Sequence, residues 1–151
     1  SDAFNKGIKM ATGDFIGLIN ADDYLLPHAI ANLTLACYER TDVLYGNTIV
    51  NDEENELKLV KHAGSVEGLE YSLPFIHQSS LVRKKAYEQY GVYSEKYKIC
   101  MDYDLFARFY RGGQNFNLSI QLLVASRMVE HRVGIRFRQS RKIYPLRKSM
   151  V

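Results

Sequence analysis

The chain of 151 residues carries only two cysteines. Cys37 and Cys100 lie far apart, with no CxxC spacing and no neighbouring histidine, which excludes a disulfide framework and a structural zinc site. A reducing, cytoplasmic setting is the one this implies. No apolar run approaches the roughly 18 residues needed to span a bilayer, and the opening SDAFNKG lacks the basic-then-apolar layout of a secretory signal. Internal repeats, linkers and low-complexity stretches are absent as well. Net charge is only +3, too little to argue for nucleic acid. What remains, 46% hydrophobic and 25% charged residues, suits one soluble domain able to bury a core.

The small excess of positive charge is unevenly placed. Seven of the twenty basic residues fall between Arg132 and Lys148, where no acidic residue occurs. This sets off residues 132–151 as a basic C-terminal tail behind a domain of residues 1–131. A solvated face is the bland reading of such a cluster, and peripheral contact with an anionic membrane surface is the functional one. Phe137 and Tyr144 are too few aromatics for base stacking, so nucleic acid is not an expected partner.

Pattern and punctuation predict the elements. Ala3 to Ala11 reads as a helix, and Phe15 to Ile19 as a short strand buried on both faces. A helix follows Pro27, with Ile30, Leu33 and Cys37 on one apolar face. Val43 to Val50 and Leu57 to Lys61 read as the arms of a hairpin around an acidic turn. Val66 to Ser72 is ambiguous. Ile76 to Val82 reads as a strand, Arg83 to Tyr90 as a helix stopped by Gly91, Met101 to Arg111 as a helix closed by Gly112-Gly113, and Leu118 to Val129 as a last strand. The alternation predicts an α/β domain with a mixed sheet flanked by helices.

In "GDFIGLINADDYLLP", residues 13–27, an apolar strand runs into Asp22 and Asp23. Ligands gather beyond the C-terminal ends of strands in open α/β sheets, so this is a place for chemistry. Adjacent residues of an extended chain point to opposite sides, and split roles for the two carboxylates are therefore expected. A Mg²⁺ or Mn²⁺ ion carried by a phosphate-bearing substrate needs only one or two protein carboxylates. The rival reading is a helix-capping loop ahead of Pro27.

"SDAFNKGIKMATGDFIGLINADDYL" resembles the middle motif of the family 2 glycosyltransferases, enzymes of GT-A fold that use nucleotide-activated sugars. Downstream, "HQSSLVRKKAYEQYG" (His77 to Gly91) is similar to the family's acceptor-side segment. "MDYDLFAR" (Met101 to Arg108) is similar to its E/D-D-x-D-L-x-x-R catalytic-base segment. The likeness runs from Ser1 to about Arg111. It implies a GT-A-like α/β sheet, here a partial domain, and an inverting transfer of sugar from a nucleoside-diphosphate donor to an acceptor hydroxyl, in polysaccharide or glycan biosynthesis.

By the same resemblance Asp23 coordinates the divalent cation, Mg²⁺ or Mn²⁺, and Asp22 contacts the ribose or lies near the pyrophosphate. Asn20 departs from the stricter D-x-D form, and its amide can still bond a ribose. Asp102 matches the general base, and His77 lines the acceptor or donor-sugar pocket. Asp104 stands about 200° around a helix from Asp102 and reads as structural. For Asp102 the bland alternative is an acid favoured by the helix dipole, and for His77 an ordinary structural histidine.

The family's opening strand, of the type "VSIIIPTYN", and the acidic loops that hold the nucleotide base are not found in the chain. A sheet without them is expected to expose an edge and to self-associate or take a partner there. Two rival functions follow: a catalytically incompetent transferase that serves as a binding module, and a basic module acting through its tail. The expected partners are a nucleotide-sugar donor and a glycan or lipid-linked acceptor. The expected location is cytoplasmic, with membrane contact through the tail.

Overall fold

The computed structural model describes residues 1–36, 40–52 and 57–127. The basic tail, His131, the domain boundary placed at 131 and Cys37 lie outside the described residues. In chain order the described elements are α1 (Asp2–Met10), β1 (Phe15–Ile16), β2 (Tyr24–Leu25), α2 (Ala29–Ala36), β3 (Val43–Asp52) and β4 (Leu57–Lys61). After these come a 3-10 turn (Val66–Glu70), a second one (His77–Ser79), β5 (Ser80–Arg83), α3 (Lys84–Tyr90), α4 (Met101–Arg111) and β6 (Phe116–Arg127). They form an α/β unit whose mixed sheet is flanked by helices, as the sequence implies.

The sheet runs β1-β5-β3-β6-β2, with β4 attached to β3. β3 is its axis. One edge of β3 pairs antiparallel with β5 through Val43 to Tyr45 and then with β4 through Thr48 to Asp52. The other edge pairs parallel with β6, and the register shifts on either side of Asn47. Bulges of this kind bend a strand and re-aim its neighbours. Here Ser79 Oγ reaches the Asn47 carbonyl at 3.4 Å and also contacts Thr48 Oγ1. The irregularity of β3 thus seats the second 3-10 turn.

Three expectations need correction. The strand predicted for Phe15 to Ile19 is only Phe15–Ile16, and it is not buried on both faces. It lies at the sheet edge, paired with β5 alone, and Ile19 is exposed. The chain then leaves the sheet for a turn closed by the Asp23 N–H on the Asn20 carbonyl at 3.2 Å. Second, the strand predicted from Ile76 begins only at Ser80. The Ser80 hydroxyl donates to the His77 carbonyl at 2.6 Å, and the Ser79 N–H donates to the Ile76 carbonyl. Such local side-chain bonds compete with a ladder. Third, Ile30, expected on one apolar face of the helix after Pro27, is half exposed.

The core sits between the sheet and α3–α4. Leu105, Phe106 and Phe109 of α4 are buried to 1% exposure or less. Phe106 meets Phe75 edge-on at 4.9 Å between centroids, and Phe75 stacks on Tyr45 at 4.5 Å. Burying a phenylalanine contributes about 1.5–3 kcal/mol, so this stripe fixes which way α4 is turned. Gly112 caps the helix where nothing larger fits: a Cβ there would lie 2.1 Å from the Tyr90 ring. The Tyr90 hydroxyl also donates to the Gly112 carbonyl at 2.5 Å, joining α3 to α4.

Candidate active site

The turn of α4 on its core stripe decides the fate of its two aspartates. Asp102 lies three, four and seven residues before Leu105, Phe106 and Phe109, so it shares their face and is drawn inward at the first helical turn. Asp104 lies on the other side with Arg108. Arg108 Nε and Nη2 each approach Asp104 Oδ2 at 3.0 Å. The same guanidinium donates to the carbonyls of Tyr90 and, at 2.7 Å, of Val92. Asp104 is therefore spent on tying α4 to the chain that follows α3.

Asp102 Oδ2 faces His77 Nδ1 at 3.4 Å. The chain enters α4 through Cys100 in the left-handed region, φ 66°, a conformation uncommon for a residue with a Cβ and often found near functional sites. Burial pushes the Asp102 carboxyl above the usual aspartate range, against the opposing pull of His77. Burial likewise pushes His77 below the usual imidazole value, partly offset by Asp102 and Asp23. A neutral imidazole facing a carboxylate must place its N–H on Nδ1, which leaves Nε2 as an acceptor.

Around this pair α1 forms a wall. Phe4 packs on the His77 ring at 5.7 Å and on Tyr93 at 5.3 Å. Asn5 clamps Tyr93 through both backbone groups, at 2.9 and 3.0 Å. The helix expected from "SDAFNKG" thus bears directly on the site.

On the far side of His77, Gln78 Nε2 donates to Asp23 Oδ2 at 2.8 Å. The four-residue path Asp23, Gln78, His77, Asp102 therefore joins the turn after β1 to the start of α4. Asp23 is half-buried and Asp22 exposed, so the two carboxylates occupy different surroundings. Asn20 enters through its backbone, its carbonyl closing the turn on Asp23. Asn20, Asp23, His77 and Asp102 are brought together, and Asp22 stands at the solvent side of the same turn. Gln78 was not singled out from the sequence. The signal was its place beside His77 in "HQSS", which an amide alone does not distinguish from an ordinary strand residue.

Four buried side-chain polar atoms among the described residues lack a hydrogen-bond partner, and three of them are His77 Nε2, Gln78 Oε1 and Asp102 Oδ1. Buried polar groups are satisfied in the great majority of cases, and three of these four exceptions fall together at His77, Gln78 and Asp102. Among the described residues no group of three His, Cys, Asp or Glu side chains could hold a metal ion. Asp23 is anchored through Oδ2 and half-buried, and the His77 imidazole stands nearby. One carboxylate does not hold a cation by itself, so an ion beside Asp23 would need most of its ligands from a bound molecule and water.

The chain matches the family described as "Glycosyl transferase family 2" over residues 1–100. It belongs to that family. The matched stretch holds Asn20, Asp22, Asp23 and His77 and stops immediately before α4. The chain is also 24% identical over 128 residues to a "PGL/p-HBAD biosynthesis glycosyltransferase" of Mycobacterium bovis (strain BCG / Pasteur 1173P2), and to the protein of the same name in Mycobacterium tuberculosis (strain ATCC 25177 / H37Ra). In each case the alignment takes in 83% of this chain and 49% of the relative. The chain thus spans about half the length of these curated relatives. Among the described residues no helix is long and apolar enough to cross a membrane.

Proposed function

We propose that the protein is an inverting glycosyltransferase that moves a sugar from a nucleoside-diphosphate donor to the hydroxyl of a glycan or lipid-linked acceptor. The single observation that carries this reading is the character of the three unpartnered atoms. Gln78 presents its Oε1 because its amide nitrogen is committed to a carboxylate, His77 presents a bare Nε2, and Asp102 presents Oδ1. All three accept hydrogen bonds and none donates. The ligand that completes them brings several donors, as a polyhydroxylated sugar does. A diphosphate, itself anionic and rich in acceptors, would face Asp22 and Asp23 only across a cation.

In this reading Asp102 takes the proton of the attacking hydroxyl. Its raised pKa makes it a stronger base than an ordinary aspartate, and general-base help of this kind is commonly worth ~10²–10⁴ in rate. His77 holds Asp102 in orientation through the Nδ1 contact and receives a sugar or acceptor hydroxyl on Nε2. Asp23 would hold a Mg²⁺ or Mn²⁺ ion, with Asp22 and Asn20 toward the nucleoside. When bound, that ion would neutralise charge developing on the departing diphosphate. A single displacement by the hydroxyl that Asp102 activates gives inversion.

The test is to incubate the full-length protein with a panel of nucleotide sugars and glycan or polyprenyl-linked acceptors, with Mn²⁺ or with EDTA, and to assign the product's anomeric configuration by NMR. The expected result is Mn²⁺-dependent transfer with inversion. A retained configuration, or transfer undiminished by EDTA, contradicts the mechanism, and no turnover with any donor contradicts the activity.

A further inference from the structure

We infer that Gln78 is a positioning residue for the donor half of the reaction, holding the Asp23 carboxylate in the orientation that a diphosphate-borne cation requires. The inference rests on the transferase reading above and goes beyond it, because that reading uses only Gln78 Oε1, toward the sugar, whereas this one assigns a second role through Nε2. Gln78 is 8% exposed and lines a cavity of about 220 Å³ whose other walls include Phe15, Ile19, Leu25 and Leu81. An amide in such surroundings is costly unless all its hydrogen-bonding groups are satisfied. Only one end is: Nε2 donates to Asp23 at 2.8 Å, and Oε1 has no partner.

A leucine would suit these walls better than a half-satisfied glutamine, so stability does not account for the residue. The bond it makes does. It runs to a carboxylate 55 positions away in sequence, on a turn otherwise closed by one backbone bond. A charge-assisted bond in a low-dielectric pocket is strong enough to select one carboxylate rotamer. It occupies Oδ2 and leaves Oδ1 for a further partner. Gln78 is also the residue next to His77, so the same 3-10 turn sets the donor-side and base-side carboxylates at a fixed separation.

The test uses the full-length protein and calorimetric titration of UDP, GDP, CDP, ADP and dTDP, each with and without Mn²⁺, alongside thermal melts. In Gln78→Leu the Mn²⁺-dependent gain in nucleotide affinity should fall ~10–100-fold, the range for residues that orient a metal ligand. Metal-free nucleotide affinity should be unchanged, and the melting midpoint should stay level or rise. Gln78→Glu, which sets a carboxylate against Asp23, should lose at least as much and serves as the second variant should the leucine protein fail to fold. An undiminished Mn²⁺ gain in both variants overturns the role, as does a gain lost only together with a lower midpoint, since that is what a structural glutamine predicts. If the wild-type protein shows no Mn²⁺ gain with any nucleotide, the donor reading itself falls and takes this role with it.

Discussion

The two ends of the site each carry a pair of aspartates, and the fold treats each pair asymmetrically. At the start of α4, Asp104 Oδ2 is held by two nitrogens of Arg108, whereas Asp102 is turned inward by the phenylalanine stripe, faces His77 and keeps a buried Oδ1 without a partner. In the turn after β1, Asp22 is exposed, and Asp23 is half-buried and held by Gln78. The difference teaches how to tell a working carboxylate from a structural one of identical type. A carboxylate gripped by an arginine that also bonds two backbone carbonyls serves the fold. Asp102, with a buried oxygen left unpartnered, and Asp23, held by an amide, are the two that the transferase reading assigns to a ligand.

Removing one member of each pair breaks or sharpens this contrast. The largest effect is expected at the turn. Asp23→Ala should weaken Mn²⁺-dependent nucleotide binding by at least ~100-fold, since even residues behind a ligand are worth 10–100-fold. Asp22→Ala should cost about tenfold, the value of one exposed-side hydrogen bond, with the Mn²⁺ gain retained. Calorimetry on both variants checks the division, and equal loss of the Mn²⁺ gain would erase it. Next in size is Asp104→Asn, which should lower stability by about 1–2 kcal/mol in denaturant melts through the loss of the Arg108 pair, while transfer falls no more than a few-fold. A stable but inactive variant would reverse the assignment.

The smallest effect is one of pH and sign. Burial raises the folded-state pKa of Asp102 above its unfolded value. The folded state then binds the proton more tightly, and this contribution to stability is full below the ordinary aspartate pKa and is lost as pH rises through the raised one. Asp102→Asn, which cannot ionise, should therefore raise the melting midpoint at pH 7 relative to wild type, and the gain should shrink toward pH 4. A midpoint lowered at pH 7 would contradict the burial argument.

Much of this was legible in the sequence. The helix periodicity of Met101 to Arg111 already separates Asp102 from Asp104 by about 200°, and the hairpin of β3 and β4 follows from two β-rich arms around an acidic turn. The unreadable parts have physical causes. β1 and β2 are two residues each, too short for any period to register, and their pairing depends on β5 and β6 far along the chain. The 3-10 turn at His77–Ser79 arises from serine bonds to the backbone and from the irregularity of β3, neither of which is a local hydrophobic pattern. Gln78 stayed hidden because its meaning lies in one bond spanning 55 positions, and an amide announces no chemistry until its partner is seen.

The most direct test of the account is to measure single-turnover sugar transfer and donor binding side by side in Asp102→Asn and Asp104→Asn of the full-length protein. The account predicts that Asp102→Asn loses transfer by ~10²–10⁴ with donor affinity nearly intact, because asparagine keeps the shape and loses the basicity, and that Asp104→Asn still turns over. Transfer that survives in Asp102→Asn, or that vanishes instead in Asp104→Asn, would contradict it.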